Sequence, residues 1–367
     1  WNRAQAVASR CSTVLAIGEE FCWLQPGAGA PLAGQLMPAW LDNGYHFVVA
    51  VDGLVAQGWA PAGAALLALG LAGCGTGAPP ADQAAQPRKL RVVTTFVPIT
   101  LFTKAVAGEC AEVRALVPPQ VGPHDFQARP ADLASLREAR VLVKNGLGIE
   151  AFLDKVIAAA ASPGLRVIDS SQGVATLASG EQDVHHHHEG HDHGPVNPHI
   201  WLDPQRAAQQ VRAIRDGLMA VDPGCAPTYR RNAERTTAAL RQLDAEIAEQ
   251  LKPYTGKTFV AFHDFAPYFA QRYGLKAEYL VDLPELNPSP ADMQRVAEIV
   301  RRSQLRALLS EPQVGARSFN ALAQDLGIRV SEFDGLETAT AADAANPDTY
   351  FKVCLLYTSD AADDTPC

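Results

Sequence analysis

The sequence predicts an α/β protein of two similar parallel-sheet lobes joined by one long rigid helix. Three observations carry that prediction. The first is an alternation of short β-rich runs with helix-length segments: "LRVVTTF", "EVRALV", "VLVKNG" and "LRVID" fall between residues 90 and 169. Helical patterns follow to about Gly108, from Pro130 and from Ile149, and a further one covers Pro204 to about Ala220. Strands separated by helix-length crossovers imply parallel pairing. The second is that the alternation repeats after residue 254, with "TFVAFH", "AEYLVDL", "RALLSE" and "IRVSEFD" interleaved with helices starting near Ala266, Ser289 and Ala316. The third is the stretch between the two sets, "CAPTYRRNAERTTAALRQLDAEIAEQLKPY", which has Pro near its ends and neither Gly nor Pro through its middle. Leu240, Leu243, Ile247 and Leu251 form one apolar stripe on it. At 1.5 Å per residue such a helix is roughly 40 Å long, enough to run along both lobes.

Composition supports packed cores. The chain has 367 residues, of which 47% are hydrophobic, ample for two domains of ordinary size. A net charge of -9, with Lys and Arg scattered rather than clustered, leaves no basic footprint for nucleic acid.

Both ends read differently from the middle. "WAPAGAALLALGLAGCGTGAPPADQAAQP" holds an apolar run from about Ala62 to Ala72, too short to span a bilayer, followed by Gly-Cys and a Pro/Ala/Gly/Gln tract. "LAGC" resembles the bacterial lipobox, which implies cleavage before Cys74 and lipidation of its thiol. The Lys/Arg-rich stretch that normally precedes such a run is missing, and the expected translation start is Met37 or later. At the other end "CLLYTSDAADDTPC" has no hydrophobic period and reads as non-native adapter or vector sequence. The expected organisation is therefore a leader over 1–74, a disordered linker over 75–88 and an N-terminal lobe over 89–222, containing a His-rich loop at 183–196. A connecting helix over 223–253, a C-terminal lobe over 254–353 and a non-native tail over 354–367 complete it. Cys110 and Cys225 are expected as two partly buried thiols, with a disulfide as the alternative in an oxidising compartment.

Histidine placement points to a metal. Seven of the ten histidines lie in "DVHHHHEGHDHGPVNPHIWLDP". Outside that stretch, His124 follows the strand "EVRALV", His263 ends "TFVAFH" and Asp334 ends "IRVSEFD". Ligands of open parallel sheets bind at the carboxyl ends of strands, so these three groups, drawn from both lobes, are expected in one cleft between the lobes. His199, just before the helix at Pro204, supplies a fourth.

The motifs "GPHDFQARPADL", "NPHIWLDP", "AFHDFAPYFAQRYGL", "NPSPADM", "LLSEPQV" and "EFDGLETA" occur in the order and spacing of the metal-binding solute-binding proteins of bacterial ABC transporters, the zinc and manganese uptake group. The resemblance covers about Leu90 to Val353. It implies two α/β lobes joined by a long helix with the metal between them, held at the matching positions His124, His199, His263 and Asp334. It also implies an ABC permease and its ATPase as partners, a monomer, and a place in the cell envelope, periplasmic or on the outer face of the cytoplasmic membrane. One departure is Gly122, where the family usually has Asp before Pro-His. Another is that the family's terminal helix after "TYF" gives way to the foreign-looking tail.

Three imidazoles with one carboxylate suit Zn²⁺, whereas a Mn²⁺ site would carry more oxygen. The manganese branch of the family commonly has Glu at the third position, where this chain has His263. Zinc-type members also carry a His-rich loop, here His185, His186, His187, His188, His191 and His193, expected to capture Zn²⁺ weakly and pass it to the cleft. Glu311 and Asp264 are candidates to orient the ligands through hydrogen bonds. Four protein ligands would leave no open position, so no enzymatic activity is expected. Two alternatives stand beside this reading. One is a manganese carrier of the same family; the other is a zinc hydrolase with an open three-His site and Glu311 as base. An adhesin at the cell surface is compatible with a lipid anchor but has no motif to support it.

Overall fold

In the computed structural model, the described residues are 44–51, 54–61, 89–124, 126–179, 195–313 and 317–355. They fall into two compact units divided between Ala85 and Gln86. The first unit contains an antiparallel pair, β1 (Gly44–Val51) and β2 (Leu54–Pro61). Both strands fall within 1–74, the expected leader. The pairing has a local cause, since β-rich runs flank Asp52-Gly53, a strong two-residue hairpin sequence.

The second unit holds both expected lobes. The N-terminal lobe runs β3 (Leu90–Thr94), α1 (Val97–Ala107), β4 (Ala111–Ala115), α2 (Pro130–Glu138), β5 (Val141–Lys144), α3 (Leu153–Ala160) and β6 (Arg166–Asp169). Its sheet has the order β4-β3-β5-β6, all parallel. After α4 (Pro204–Val221) and α5 (Ala226–Leu251), the C-terminal lobe runs β7 (Thr258–His263), α6 (Pro267–Tyr273), β8 (Lys276–Val281), α7 (Pro290–Ser303), β9 (Ala307–Ser310), α8 (Arg317–Leu326) and β10 (Arg329–Glu332). Its sheet order is β10-β9-β7-β8, also parallel. Each sheet follows one path: the second strand lies on one side of the first and the third on the other. This puts a crevice at the carboxyl end between first and third strands, at β3/β5 and at β7/β9.

Local chemistry explains the boundaries. β3 and β5 bury consecutive residues, as parallel strands covered on both faces must. Asp203 caps α4 by accepting from Gln205 N, with Pro204 in the first turn. Ser289 and Asp292 form a capping box on α7. α3 starts at Leu153, four residues later than the sequence pattern indicated. The reason lies in Gly146, Leu147 and Gly148, all with positive φ, and in the turns that follow them through Phe152.

α5 is the expected strut, 26 residues long, with Leu240, Leu243, Ile247 and Leu251 all buried. One core extends from the N-terminal lobe through α4 and α5 to Phe265, Phe269, Phe333 and Leu336 of the other lobe. A separate core fills the outer side of the C-terminal sheet around Val260, Leu280, Val296 and Phe319. The connection is therefore packed against both lobes. After β10 come α9 (Ala341–Ala345) and a helical segment over residues 349–355. Tyr350 OH donates to Trp201 O at 2.6 Å, and Cys354, one helical turn on, is buried in the same core. Cys354 therefore belongs to the folded lobe, although the tail was expected to begin there; residues 356–367 lie outside the described residues.

Cys110 and Cys225 form a disulfide rather than the expected pair of thiols. It ties the residue before β4 to the residue before α5. Because it closes a loop with a sequence separation of 115 residues, it restricts the unfolded chain strongly. Replacing both cysteines with Ser should lower the unfolding free energy by about 2–4 kcal/mol, seen as an earlier urea midpoint that reductant no longer changes.

Candidate metal centre

Four side chains converge between the carboxyl ends of the two sheets. His124 lies on the loop after β4, His199 opens the turn Ile200–Leu202, His263 is the last residue of β7 and Glu337 lies on the loop after β10. One atom from each lies within 4.8 Å of those of the others. Glu337 Oε1 is 3.0 Å from His199 Nε2 and 3.3 Å from both His124 Nε2 and His263 Nε2. His263 Nε2 and His199 Nε2 are 3.4 Å apart. The side chains of His199, His263 and Glu337 are 0% exposed and that of His124 6%.

The two buried imidazoles are held so that Nε2 faces inward. Asn197 Nδ2 donates to Asp264 O at 2.7 Å and to Asp264 Oδ2 at 3.1 Å, which leaves Asn197 Oδ1 to accept from His199 N and His199 Nδ1, at 3.0 and 2.9 Å. Glu311 Oε1 accepts from His263 N at 3.1 Å and from His263 Nδ1 at 2.8 Å. With Nδ1 turned to these acceptors in both rings, Nε2 is the nitrogen that faces the cluster. Asp264 thus acts on His199 through Asn197, while Glu311 acts on His263 directly.

Asp334 is not in the cluster; Glu337 takes the place expected for it. β10 ends at Glu332, so Asp334 already lies in the following loop, where its Oδ1 accepts from Leu336 N at 2.8 Å. Leu336 has φ of 60°, and this tight turn carries the chain on to Glu337. Gly335 packs closely there: a Cβ would sit 3.2 Å from the Phe265 ring, which would have to shift by a few tenths of an ångström. Burial, followed by the influence of Glu332, raises the Asp334 carboxyl to about 6. Strand-end position and the family resemblance both favoured Asp334, while the motif "EFDGLETA" contained both carboxylates. The lipobox Cys74 and the six loop histidines, His185 to His193, lie outside the described residues.

Charge in the site is tightly coupled. Burial alone would lower the basicity of His263, but Glu311 and Glu337 on either side of its ring outweigh it and raise its pKa well above 6.5. Burial would likewise raise Glu337, and the facing His124 and His263 instead hold it well below the usual carboxylate range. His199 is pushed down to about 3 by burial, against the pull of Glu337. Three imidazole nitrogens and one carboxylate oxygen form a donor set suited to Zn²⁺.

A model of the family of ZnuA, the periplasmic component A of zinc-uptake complexes, matches residues 92–356. The chain belongs to the ZnuA family. It is 31% identical over 294 residues to the zinc-binding lipoprotein AdcA of Streptococcus pneumoniae, a match covering 79% of this chain and 57% of the relative. The chain therefore spans little more than half the length of that relative. It is 29% identical over 270 residues to the high-affinity zinc uptake system protein ZnuA of Yersinia pestis, covering 69% of this chain and 85% of the relative. Among solved structures, the Zn(II)-bound ZnuA-like domain of Streptococcus pneumoniae AdcA is similar with a TM-score of 0.64 and 28% identity, over 76% of this chain and 99% of that one.

In this member of the ZnuA family, the hydrogen bonds behind the imidazoles should matter to metal affinity. Asn197→Ala and Glu311→Gln should each weaken Zn²⁺ binding by about 10- to 100-fold in competition against a chelator, and Asn197→Ala should also lower the thermal midpoint of the metal-free chain, because it removes a buried hydrogen bond to Asp264.

Proposed function

We propose that this protein is the zinc-binding component of an ABC transporter, taking Zn²⁺ outside the cytoplasmic membrane and handing it to the permease for import driven by the ATPase. The observation that carries this reading is the enclosed set His124, His199, His263 and Glu337, with two donors from each lobe. Four protein donors leave Zn²⁺ no position for substrate or activated water, which marks a holding site rather than a catalytic one. The hydrolase reading needs an open fourth position and Glu311 as a free base. Glu337 takes that position, and Glu311 is engaged with His263 Nδ1 at 2.8 Å.

Family membership supports an extracytoplasmic location, and the AdcA relative is a lipoprotein by name. Lipidation of Cys74, a monomeric state, and weak Zn²⁺ capture by the histidines at 185–188, 191 and 193 complete the proposal. The donor set, with one carboxylate and three imidazoles, favours zinc over manganese.

Competition against a calibrated chelator tests this reading, using the chain without residues 183–194 so that the loop histidines do not contribute. One Zn²⁺ per chain should bind tightly and Mn²⁺ more weakly. Absence of saturable binding, or preference for Mn²⁺, would contradict it.

The same titration has a pH signature. Because Glu311 and Glu337 raise His263 well above 6.5 in the metal-free site, Zn²⁺ competes with a proton for Nε2. His199, at about 3, is already neutral. Zinc affinity should therefore fall on acidification from about pH 8 to 6. An affinity independent of pH over that range would show that no proton leaves.

A further inference from the structure

Gln313 lies behind the cluster and belongs to no ligand position. Its Nε2 donates to Glu311 Oε2 at 2.7 Å and to Glu337 Oε2 at 3.3 Å. The amide orientation is dictated by its surroundings, because an oxygen facing two carboxylates would be repelled. Glu337 is thus divided between two tasks: Oε1 faces the three Nε2 atoms at 3.0–3.3 Å, and Oε2 is turned toward the amide. Glu311 Oε1 accepts from the backbone and ring of His263, and Glu311 Oε2, itself 2.7 Å from His263 Nδ1, also accepts from Gln313. One side chain therefore spans the carboxylate expected to touch the metal and the carboxylate that orients a metal-binding imidazole.

Resting on the zinc-site reading above, we infer that Gln313 is a specificity-determining positioning residue that keeps Glu337 monodentate. A metal that took both oxygens of Glu337 would have to displace the amide from Oε2. Zn²⁺ is satisfied by four donors and does not need the second oxygen. Mn²⁺ favours six-coordinate, oxygen-rich surroundings and gains most from a bidentate carboxylate. The amide therefore acts against Mn²⁺ without touching either ion. Pro312, between Glu311 and Gln313, limits the backbone freedom with which the amide could follow a rotating carboxylate.

The test is Gln313→Met, which keeps the length of the side chain and removes the donor. Two readouts are needed: the Zn²⁺ to Mn²⁺ affinity ratio by chelator competition, and the zinc coordination shell by X-ray absorption. The expected result is one zinc per chain with the ratio reduced about tenfold, chiefly through tighter Mn²⁺. The zinc shell should shift from four donors toward five, with a longer mean Zn–O distance. Gln313→Asn, too short to span both carboxylates, should move both readouts in the same direction, and it decides the matter if the Met variant does not fold. One bound zinc with ratio and shell both unchanged would overturn the inference. Failure of the unaltered protein to bind zinc would instead overturn the zinc-site reading.

Discussion

The convergence of three imidazole Nε2 atoms on Glu337 Oε1 is the contact on which the rest of the molecule is built. Each of the four groups sits at the carboxyl end of a strand, on the loop that follows one, or at the start of a helical turn, so the geometry depends on two sheets presenting those ends to one another. α5 supplies the constraint. It packs its apolar stripe into a core shared by both lobes, and the Cys110–Cys225 disulfide secures its first residues to the N-terminal sheet. A strut held in this way limits the lobes to small relative displacements.

Buried charge in this cleft is compensated before any metal enters. The imidazolium of His263 lies between Glu311 on Nδ1 and Glu337 on Nε2, both carboxylates being almost wholly inaccessible. Isolated, either carboxylate would be very costly in such surroundings. Hydrogen bonds between the lobes flank the same place. Tyr268 OH donates to Asn197 O at 2.6 Å, Asn197 Nδ2 reaches Asp264, and Trp201 Nε1 donates to Gly335 O at 2.9 Å. Ala339 N donates to Pro119 O at 2.6 Å, tying the His124 loop to the segment after Glu337. The groups that would bind the ion and the groups that join the lobes are neighbours in the chain, so opening the cleft and loosening the ligands are one event.

Much of this was legible in the sequence, for reasons that also explain the exceptions. Alternating strands and helices are a local signal, and both sheets and the long helix follow from it. His124, His199 and His263, named for their place at strand ends or before a helix and for the family motifs that hold them, do stand together in the cluster. The carboxylate was misplaced by three residues because β10 stops at Glu332, and the turn built by Asp334, Gly335 and Leu336 depends on packing against Phe265, which no local pattern reveals. The disulfide was equally out of reach, since it requires knowing that the start of α5 returns to the start of β4. The inclusion of Cys354 in the core comes from helical register: the turn that buries Tyr350 brings in the residue four positions later, whatever the origin of the residues beyond it. Gln313 carried no signal of its own, because its importance lies in the two carboxylates it joins.

The central claim is that Glu337, and not Asp334, completes the site. The most direct measurement is a chelator-competition titration of Zn²⁺ against Glu337→Ala and Asp334→Ala side by side. Glu337→Ala should weaken zinc binding by at least about 100-fold, since it removes the anionic donor and leaves three buried imidazoles around a dication. Asp334→Ala should cost about tenfold or less, through loosening of the turn that delivers Glu337. The reverse order, with Asp334→Ala severe and Glu337→Ala mild, would contradict this assignment and return the fourth position to Asp334.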